Sequence, residues 1–142
     1  LFFENDYEAA VEILAAGLDG LRAHPDVLAF HPDLAPGASD GALTLVRAYD
    51  ALGMAEAAED TMALVATLMW EARPSDAEFP PGFIADYETV RPLMPTRAIA
   101  VSWRGGESCR LRVNGFVAPL GEEGGELRLP IVGLKGALVV GK

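Results

Sequence analysis

The sequence holds a single cysteine, Cys109, and only two histidines among its 142 residues. One cysteine excludes an internal disulfide framework and a zinc ribbon, because both need more than one thiol. Basic residues are also scarce, 11 against 21 acidic ones, so that the net charge is −10. This balance argues against a nucleic-acid partner, since nucleic-acid binders place a basic surface against phosphate. No apolar run reaches the ~18 residues that a membrane-spanning helix needs.

The chain does contain enough apolar material for a folded core, with 51% hydrophobic and 23% charged residues. Its length is that of one ordinary domain, and its start at Leu1 favours a processed product or an excised fragment of a longer protein. Residues 1–96 carry 17 acidic and 4 basic residues, a net of −13, whereas residues 97–142 carry 4 acidic and 7 basic ones, a net of +3. This asymmetry predicts two parts with different surfaces.

Apolar residues recur at helical spacing through most of the acidic part. The predicted long helices are one that Asn5–Asp6 precedes and Pro25 ends, one that Ser39–Asp40 caps and Gly53 stops, and one from Met54 or Ala55 to about Trp70. Residues 24–38 and 74–82 are rich in proline and predict connectors, the first with a short turn at Val27–Phe30 and the second leading into a short helix, Phe83–Val90. Because one or two residues join the last two long helices, these helices are predicted to pack antiparallel.

From Arg97 onward the apolar period changes from 3.6 to 2, which predicts β-strands. Asn114–Gly115 predicts a two-residue hairpin turn with Val113 opposite Phe116. Four or five short strands, one of them at Ala137–Val140, would form a small antiparallel sheet or sandwich. The predicted fold class is therefore α+β, with antiparallel helical hairpins over 1–73, a linker and short helix over 74–96, and a small antiparallel β-domain over 97–142.

The two helices on either side of Gly53 resemble a tetratricopeptide repeat. The match consists of Leu45, Tyr49, Gly53 and Ala58, at the spacing where that family places the leucine and aromatic residue of its first helix, the turn glycine and the alanine of its second helix. The first helix resembles the second helix of such a repeat, so the resemblance covers about residues 1–73. It implies a helical-repeat fold that binds other proteins.

Residues 97–142 resemble a PEGA-type β-domain. The likeness lies in the segment Leu111–Arg112–Val113–Asn114–Gly115 and in the later Leu129–Pro130. The order of the two parts is similar to that of envelope-associated bacterial proteins, in which degenerate helical repeats precede such a domain. The resemblance implies a non-catalytic protein-binding or scaffold role with no cofactor, and it favours the cell envelope or periplasm over the cytoplasm.

Two His-Pro-Asp triplets, seven residues apart, hold both histidines of the chain. Two imidazoles and two carboxylates are a plausible ligand set, so that His24, Asp26, His31 and Asp33 could form a metal site. The alternative is that these triplets are ordinary helix-end and turn sequences. A metal-binding or enzyme accessory domain centred on His24 and His31 is thus one rival to the binding role, and a structural subunit of a larger assembly is another.

Three arginines alternate with apolar residues along the predicted strands, namely Arg110, Arg112 and Arg128. On adjacent strands they would form one basic patch, a candidate binding site for an acidic polymer, a phospholipid surface or the acidic helices of the same chain. Ordinary solubilising charge is the alternative.

Other chemistry-bearing groups have simpler interpretations. The acidic pairs and clusters, Glu8 with Glu12 and the group Glu56, Glu59 and Asp60, are predicted to lie on solvated helix faces rather than to act as general acid and base. Cys109 is predicted to be a small core residue rather than a nucleophile. The sequence therefore predicts no catalytic residues.

Overall fold

The computed structural model describes residues 6–24, 26–93, 96–102, 110–113, 115–118, 120, 124–130 and 138–141, with the backbone alone at 110, 124, 130 and 138–141. The helices are α1 Tyr7–Ala23, α2 Asp26–Phe30, α3 Ala35–Ala51, α4 Ala55–Leu68 and α5 Pro81–Val90, with 3₁₀ turns at Pro32–Leu34 and Arg91–Leu93. The strands are β1 Thr96–Ser102, β2 Arg110–Val113, β3 Phe116–Val117, β4 Gly124–Pro130 and β5 Leu138–Gly141. The predicted mixed α and β fold is confirmed.

The first long helix forms where its sequence pattern predicted. The Asp6 carboxylate caps α1 by accepting a hydrogen bond of 3.1 Å from the Ala9 backbone N–H, which satisfies one of the free donors of the first turn. Its apolar stripe faces the core, since Ala10 and Leu18 are buried and Val11 and Leu14 pack against the buried cluster. α1 rests mainly on α3.

The second long helix begins earlier than predicted. α3 starts at Ala35, so the expected cap at Ser39–Asp40 is wrong, and Ser39 lies buried inside the helix. Pro36 occupies the first turn, where a missing N–H and a fixed φ cost nothing. The Ser39 hydroxyl donates to the Pro36 carbonyl at 2.9 Å, inside the helix rather than at its end.

The turn between α3 and α4 is built by backbone hydrogen bonds around Gly53. The Gly53 N–H donates to the Asp50 carbonyl at 3.1 Å, and the Met54 N–H donates to the Tyr49 carbonyl at 2.9 Å. This is the Schellman arrangement, and it requires the positive φ of +73° that Gly53 adopts. The predicted stop at Gly53 is confirmed. The apolar residues spaced along α4 are buried, namely Ala58, Met62, Val65 and Ala66, and so is Met69 directly after the helix.

Ala58 offers a direct test of how closely the helices pack at this point, because its side chain is only 4% exposed. An Ala58→Leu variant is expected to lose roughly 1–3 kcal/mol of unfolding free energy, since the larger side chain overpacks the core. Ala55→Leu, at an exposed position of the same helix, is the matched control. Urea unfolding measures both, and equal stability of the two variants would contradict a close helix contact at Ala58.

The segment predicted as a second linker packs into the helical core. Phe79 is buried and stacks on Phe83 of α5, with the ring centroids 5.0 Å apart. The Arg47 guanidinium of α3 lies 5.8 Å from the centre of the Phe79 ring and donates to the Glu78 carbonyl at 3.3 Å. The linker residues 74–80 are therefore attached to α5 by an aromatic contact and to α3 by a cation–π contact.

The described strands form two antiparallel sheets. β1 pairs with β4, and the other sheet has the order β3-β2-β5. The predicted hairpin register is confirmed, because Val113 pairs with Phe116 and the Ala118 N–H donates to the Leu111 carbonyl at 2.8 Å. Gly115 has a φ of +85°, as the turn requires, while Asn114 lies outside the described residues.

Both sheets and one residue that follows α4 share a second core. Its buried side chains are Trp70, Leu111, Val113, Ala118, Leu127 and Leu129. Trp70 follows α4, and its indole N–H donates a buried hydrogen bond of 2.9 Å to the Val113 carbonyl of β2. The helical part and the strands are thus joined through Trp70.

Candidate functional site

The predicted solvated faces are confirmed for the paired carboxylates. Glu8 and Glu12 on α1 are exposed, as are Glu56, Glu59 and Asp60 on α4. A general acid and base usually work in a desolvated pocket, and an exposed helix face does not provide one. Cys109 lies outside the described residues, so its predicted core position stays a prediction.

Tyr87 is the largest fully buried side chain among the described residues. Its hydroxyl donates to the Ala72 carbonyl at 2.9 Å, beyond the end of α4. Burial raises the pKa of Tyr87 above its ordinary value, against the opposing effect of the Arg73 and Arg91 guanidinium groups. The Arg91 side chain meanwhile donates to the Trp70 carbonyl at 3.1 Å. These polar groups hold α5 against the end of α4, which is a structural role.

A Tyr87→Phe variant is expected to lose about 1 kcal/mol of unfolding free energy near neutral pH, because one hydrogen bond is removed. The raised pKa adds a pH dependence. The unfolded chain releases the tyrosine proton first, at about pH 10, so the contribution of Tyr87 is complete below that pH and is lost as the pH rises through the folded-state pKa. Urea unfolding should be measured near neutral pH and again above pH 10. The difference in unfolding free energy between wild type and Tyr87→Phe should be smaller at the higher pH. A constant gap would contradict the burial of an ionisable hydroxyl.

The two His-Pro-Asp triplets serve as helix-end and turn sequences. The His24 N–H donates to the Gly20 carbonyl at 3.0 Å at the end of α1, and the His31 N–H donates to the Val27 carbonyl at 2.8 Å at the end of α2. The proposed ligands His24, Asp26, His31 and Asp33 are all exposed, and among the described residues no three metal-binding side chains come together. The four side chains of the metal alternative are therefore not gathered into one cluster, because each triplet ends a different helix.

We expect the double variant His24→Ala/His31→Ala to unfold within about 0.5 kcal/mol of wild type, since exposed side chains without special contacts contribute little. Urea unfolding and elemental analysis of the purified protein check this expectation. A stoichiometric metal that is present in the wild type and lost in the double variant would contradict the turn interpretation.

The predicted arginine patch is divided between two sheets. Arg112 lies on β2 and Arg128 on β4, which are not neighbours. Alternation is as predicted, because Leu111, Val113, Leu127 and Leu129 are buried while Arg112 is half-buried and Arg128 exposed. Arg128 donates to the Thr96 hydroxyl at 3.1 Å, and the Arg110 side chain lies outside the described residues. A single basic patch required Arg112 and Arg128 to lie on adjacent strands. They do not, because the neighbour of β4 is β1 and not β2.

A different surface was missed by the sequence analysis. Phe30, at the end of α2, is 64% exposed, and Leu34, four residues later, is 49% exposed. The acidic side chains of Asp26 and Asp33 in the same segment are exposed too. We name these side chains together with His31 the connector surface. The sequence feature that could have indicated this surface is the presence of two large apolar residues in a proline-rich connector.

The backbone beneath the connector surface is held firmly by its buried neighbours. Leu28, Ala29 and Ala35 are at most 2% exposed. The Leu28 carbonyl approaches Gly115 so closely that a Cβ placed on Gly115 would lie 2.6 Å from its oxygen. The segment is therefore clamped between α3 and the hairpin of β2 and β3, and it presents Phe30 and Leu34 from a fixed base.

No helix in the described part of the chain combines the length and apolarity needed to cross a membrane. Comparison with known proteins finds no matching family model, no matching curated protein and no matching solved structure.

Proposed function

We propose that this protein is a non-catalytic protein-binding or scaffold module, and that its partner docks on the connector surface. The observation that carries the proposal is the exposure of Phe30 and Leu34 on a segment whose other side is buried. Large apolar side chains exposed within one short segment are candidate contacts for a partner protein. Aromatic anchors of this kind supply much of the binding energy of an interface.

The fixed base of the connector surface supports the same function. Binding costs conformational entropy when a loop must become ordered, and a segment that is already clamped avoids most of that cost. Leu28 and Ala35 fix the backbone on either side of the exposed pair. The connector surface is thus preorganised for a partner, as a scaffold requires.

The chemistry of the partner follows from the charge around the connector surface. Asp26 and Asp33 flank the apolar pair, and residues 1–96 carry a net charge of −13. A partner segment with apolar side chains and neighbouring lysine or arginine residues is therefore complementary to it. The charge should accelerate association and make it salt-dependent, while the apolar contacts should provide most of the affinity.

The resemblances agree with a binding role. The tetratricopeptide-like residues Leu45 and Ala58 are buried and Gly53 forms the turn, as that likeness requires. A tetratricopeptide-like part followed by a PEGA-like part is similar to the order found in envelope-associated bacterial proteins. We propose that this protein is also located in a bacterial cell envelope. The proposal includes no nucleic-acid partner.

Selection from a displayed library of random peptides tests the proposed function. We expect wild type to select peptides that combine basic and apolar residues. The variant Phe30→Ser/Leu34→Ser should bind those peptides at least ~10-fold more weakly, because it removes both anchors.

The matched control is Met54→Ser/Leu93→Ser, which removes two apolar side chains that are exposed elsewhere, at 45% and 73%. It should bind like wild type. Equal binding by both double variants would place the binding site elsewhere. Loss of binding only in Arg112→Glu/Arg128→Glu, with selection of acidic peptides, would instead favour the strand arginines.

A further inference from the structure

We propose that β1 is an interaction surface for a second copy of this chain, and that two copies pair antiparallel through β1 to form a four-stranded sheet. In its own sheet β1 has one hydrogen-bonded neighbour, β4. On its other side no strand of the described residues pairs with it. A strand edge with free N–H and C=O groups is a template for another strand.

The remaining strands carry the features by which proteins protect their edges. β4 lies against α4 and carries the charged residues Glu126 and Arg128 on exposed positions. β3 has only two residues, and β5 lies against α2. Short strands, charges and covering helices all discourage edge-to-edge pairing. Among the described strands, β1 and β4 are the long ones with an unpaired edge, and of these two β1 carries a single charged residue, Arg97, whereas β4 carries two and also contacts α4.

The composition of β1 also favours pairing. It has seven residues, Thr96–Ser102, of which all but Val101 are exposed. Arg97 is its only charged residue, and no proline interrupts it. Ile99 at its centre is 37% exposed although it pairs with the buried Leu127 of β4. A neighbouring strand would cover this isoleucine and extend the second core across the interface.

The order of residues in β1 is compatible with pairing to itself. In an antiparallel register centred on Ile99, that residue lies opposite its own copy and Ala98 lies opposite Ala100. Arg97 then lies opposite Val101, and Thr96 opposite Ser102. A two-fold interface needs such self-complementarity, because each residue meets a residue of the same strand.

Charge does not oppose this register. The two copies of Arg97 would be separated along the sheet by four residues, which is about 14 Å at ~3.4 Å per residue. That distance exceeds the Debye length of ~8 Å at physiological ionic strength, so the repulsion is largely screened. The polar ends of β1, Thr96 and Ser102, would face each other and can exchange hydrogen bonds.

Sedimentation equilibrium over a range of protein concentrations tests the pairing. Wild type is expected to associate to twice the monomer mass. Ile99→Lys should weaken the association by ~10-fold or more, because two like charges then lie directly opposite each other. Val117→Lys is the control, since Val117 is a 44% exposed strand residue outside β1. A monomeric wild type, or an Ile99→Lys variant that associates as wild type does, would overturn the proposal.

Oxidative cross-linking tests the register and remains informative if Ile99→Lys fails to fold. In a Cys109→Ser background, Ile99→Cys should form a disulfide-linked dimer, because Cα atoms directly opposite lie ~4.5–5.5 Å apart and a disulfide spans this distance. Arg97→Cys should not cross-link, since its copy is about 14 Å away at ~3.4 Å per residue. Equal cross-linking of both variants, or none in Ile99→Cys, would overturn the proposed pairing.

Discussion

A Gly115→Ala variant is expected to lose about 3 kcal/mol or more of unfolding free energy, a large part of the stability of a small domain. The first cause is the backbone, since Gly115 has a φ of +85° and a left-handed conformation costs a residue with a Cβ about 1–2 kcal/mol. The second cause is contact. The added Cβ would lie 2.6 Å from the Leu28 carbonyl oxygen and 3.2 Å from the Ala35 Cβ. Because a buried backbone carbonyl cannot move aside freely, the helical part must shift away from the hairpin.

Gly53→Ala separates these two causes. Gly53 also has a positive φ, +73°, but a Cβ built on it meets no described atom within 4 Å. This control should therefore lose only the conformational term of about 1–2 kcal/mol. Urea unfolding followed by circular dichroism gives both values. If the two variants lose the same free energy, the close approach of Leu28 to the hairpin does not exist in solution.

A Trp70→Ala variant is expected to lose about 3–5 kcal/mol, the range for truncation of a large buried aromatic residue. Trp70 is 3% exposed and is the residue of the helical part that enters the core between the sheets. The variant also leaves the buried Val113 carbonyl without its donor from the indole. We therefore expect the strands to lose stability more than the helices do.

Hydrogen exchange measured residue by residue checks that expectation. The backbone amides of Leu111 and Leu127 should lose protection in Trp70→Ala, while those of Val46 and Val65 should keep more of theirs, because the latter lie in the separate helical core. Trp70→Phe keeps most of the apolar contact and removes only the hydrogen bond, so it should lose about 1–3 kcal/mol. A uniform loss of protection in Trp70→Ala, or an unchanged stability, would contradict the role of Trp70 as the link between the two cores.

Part of the candidate site could be predicted from the sequence and part could not. The His-Pro-Asp triplets were identified, but sequence spacing alone did not distinguish a ligand set from helix-end turns, since both use the same residues. The arginines were placed correctly on alternate positions, and only the strand order separated Arg112 from Arg128. The connector surface was missed because exposure depends on what packs against a segment. Nothing local distinguishes Phe30, which is exposed, from Phe79, which is buried.

The sequence by itself determined the features that depend on local interactions. Asp6 caps α1, Gly53 ends α3, and Gly115 allows the hairpin register of Val113 with Phe116. Each of these follows from backbone geometry and hydrogen bonds within a few residues. Period-3.6 and period-2 apolar patterns likewise indicated where helices give way to strands.

Only the tertiary structure decided how these elements meet. In the tertiary structure α3 begins at Ala35, before the predicted cap. Phe79 of the predicted linker is buried in the helical core, and Trp70 lies in the core of the strands. The tertiary structure also divided the strands between two sheets and left β1 at an edge. These outcomes depend on contacts between residues far apart in the chain, such as Trp70 with Val113 and Leu28 with Gly115. Apolar burial is non-directional, so a local pattern shows that a residue seeks a core but not which neighbour provides it.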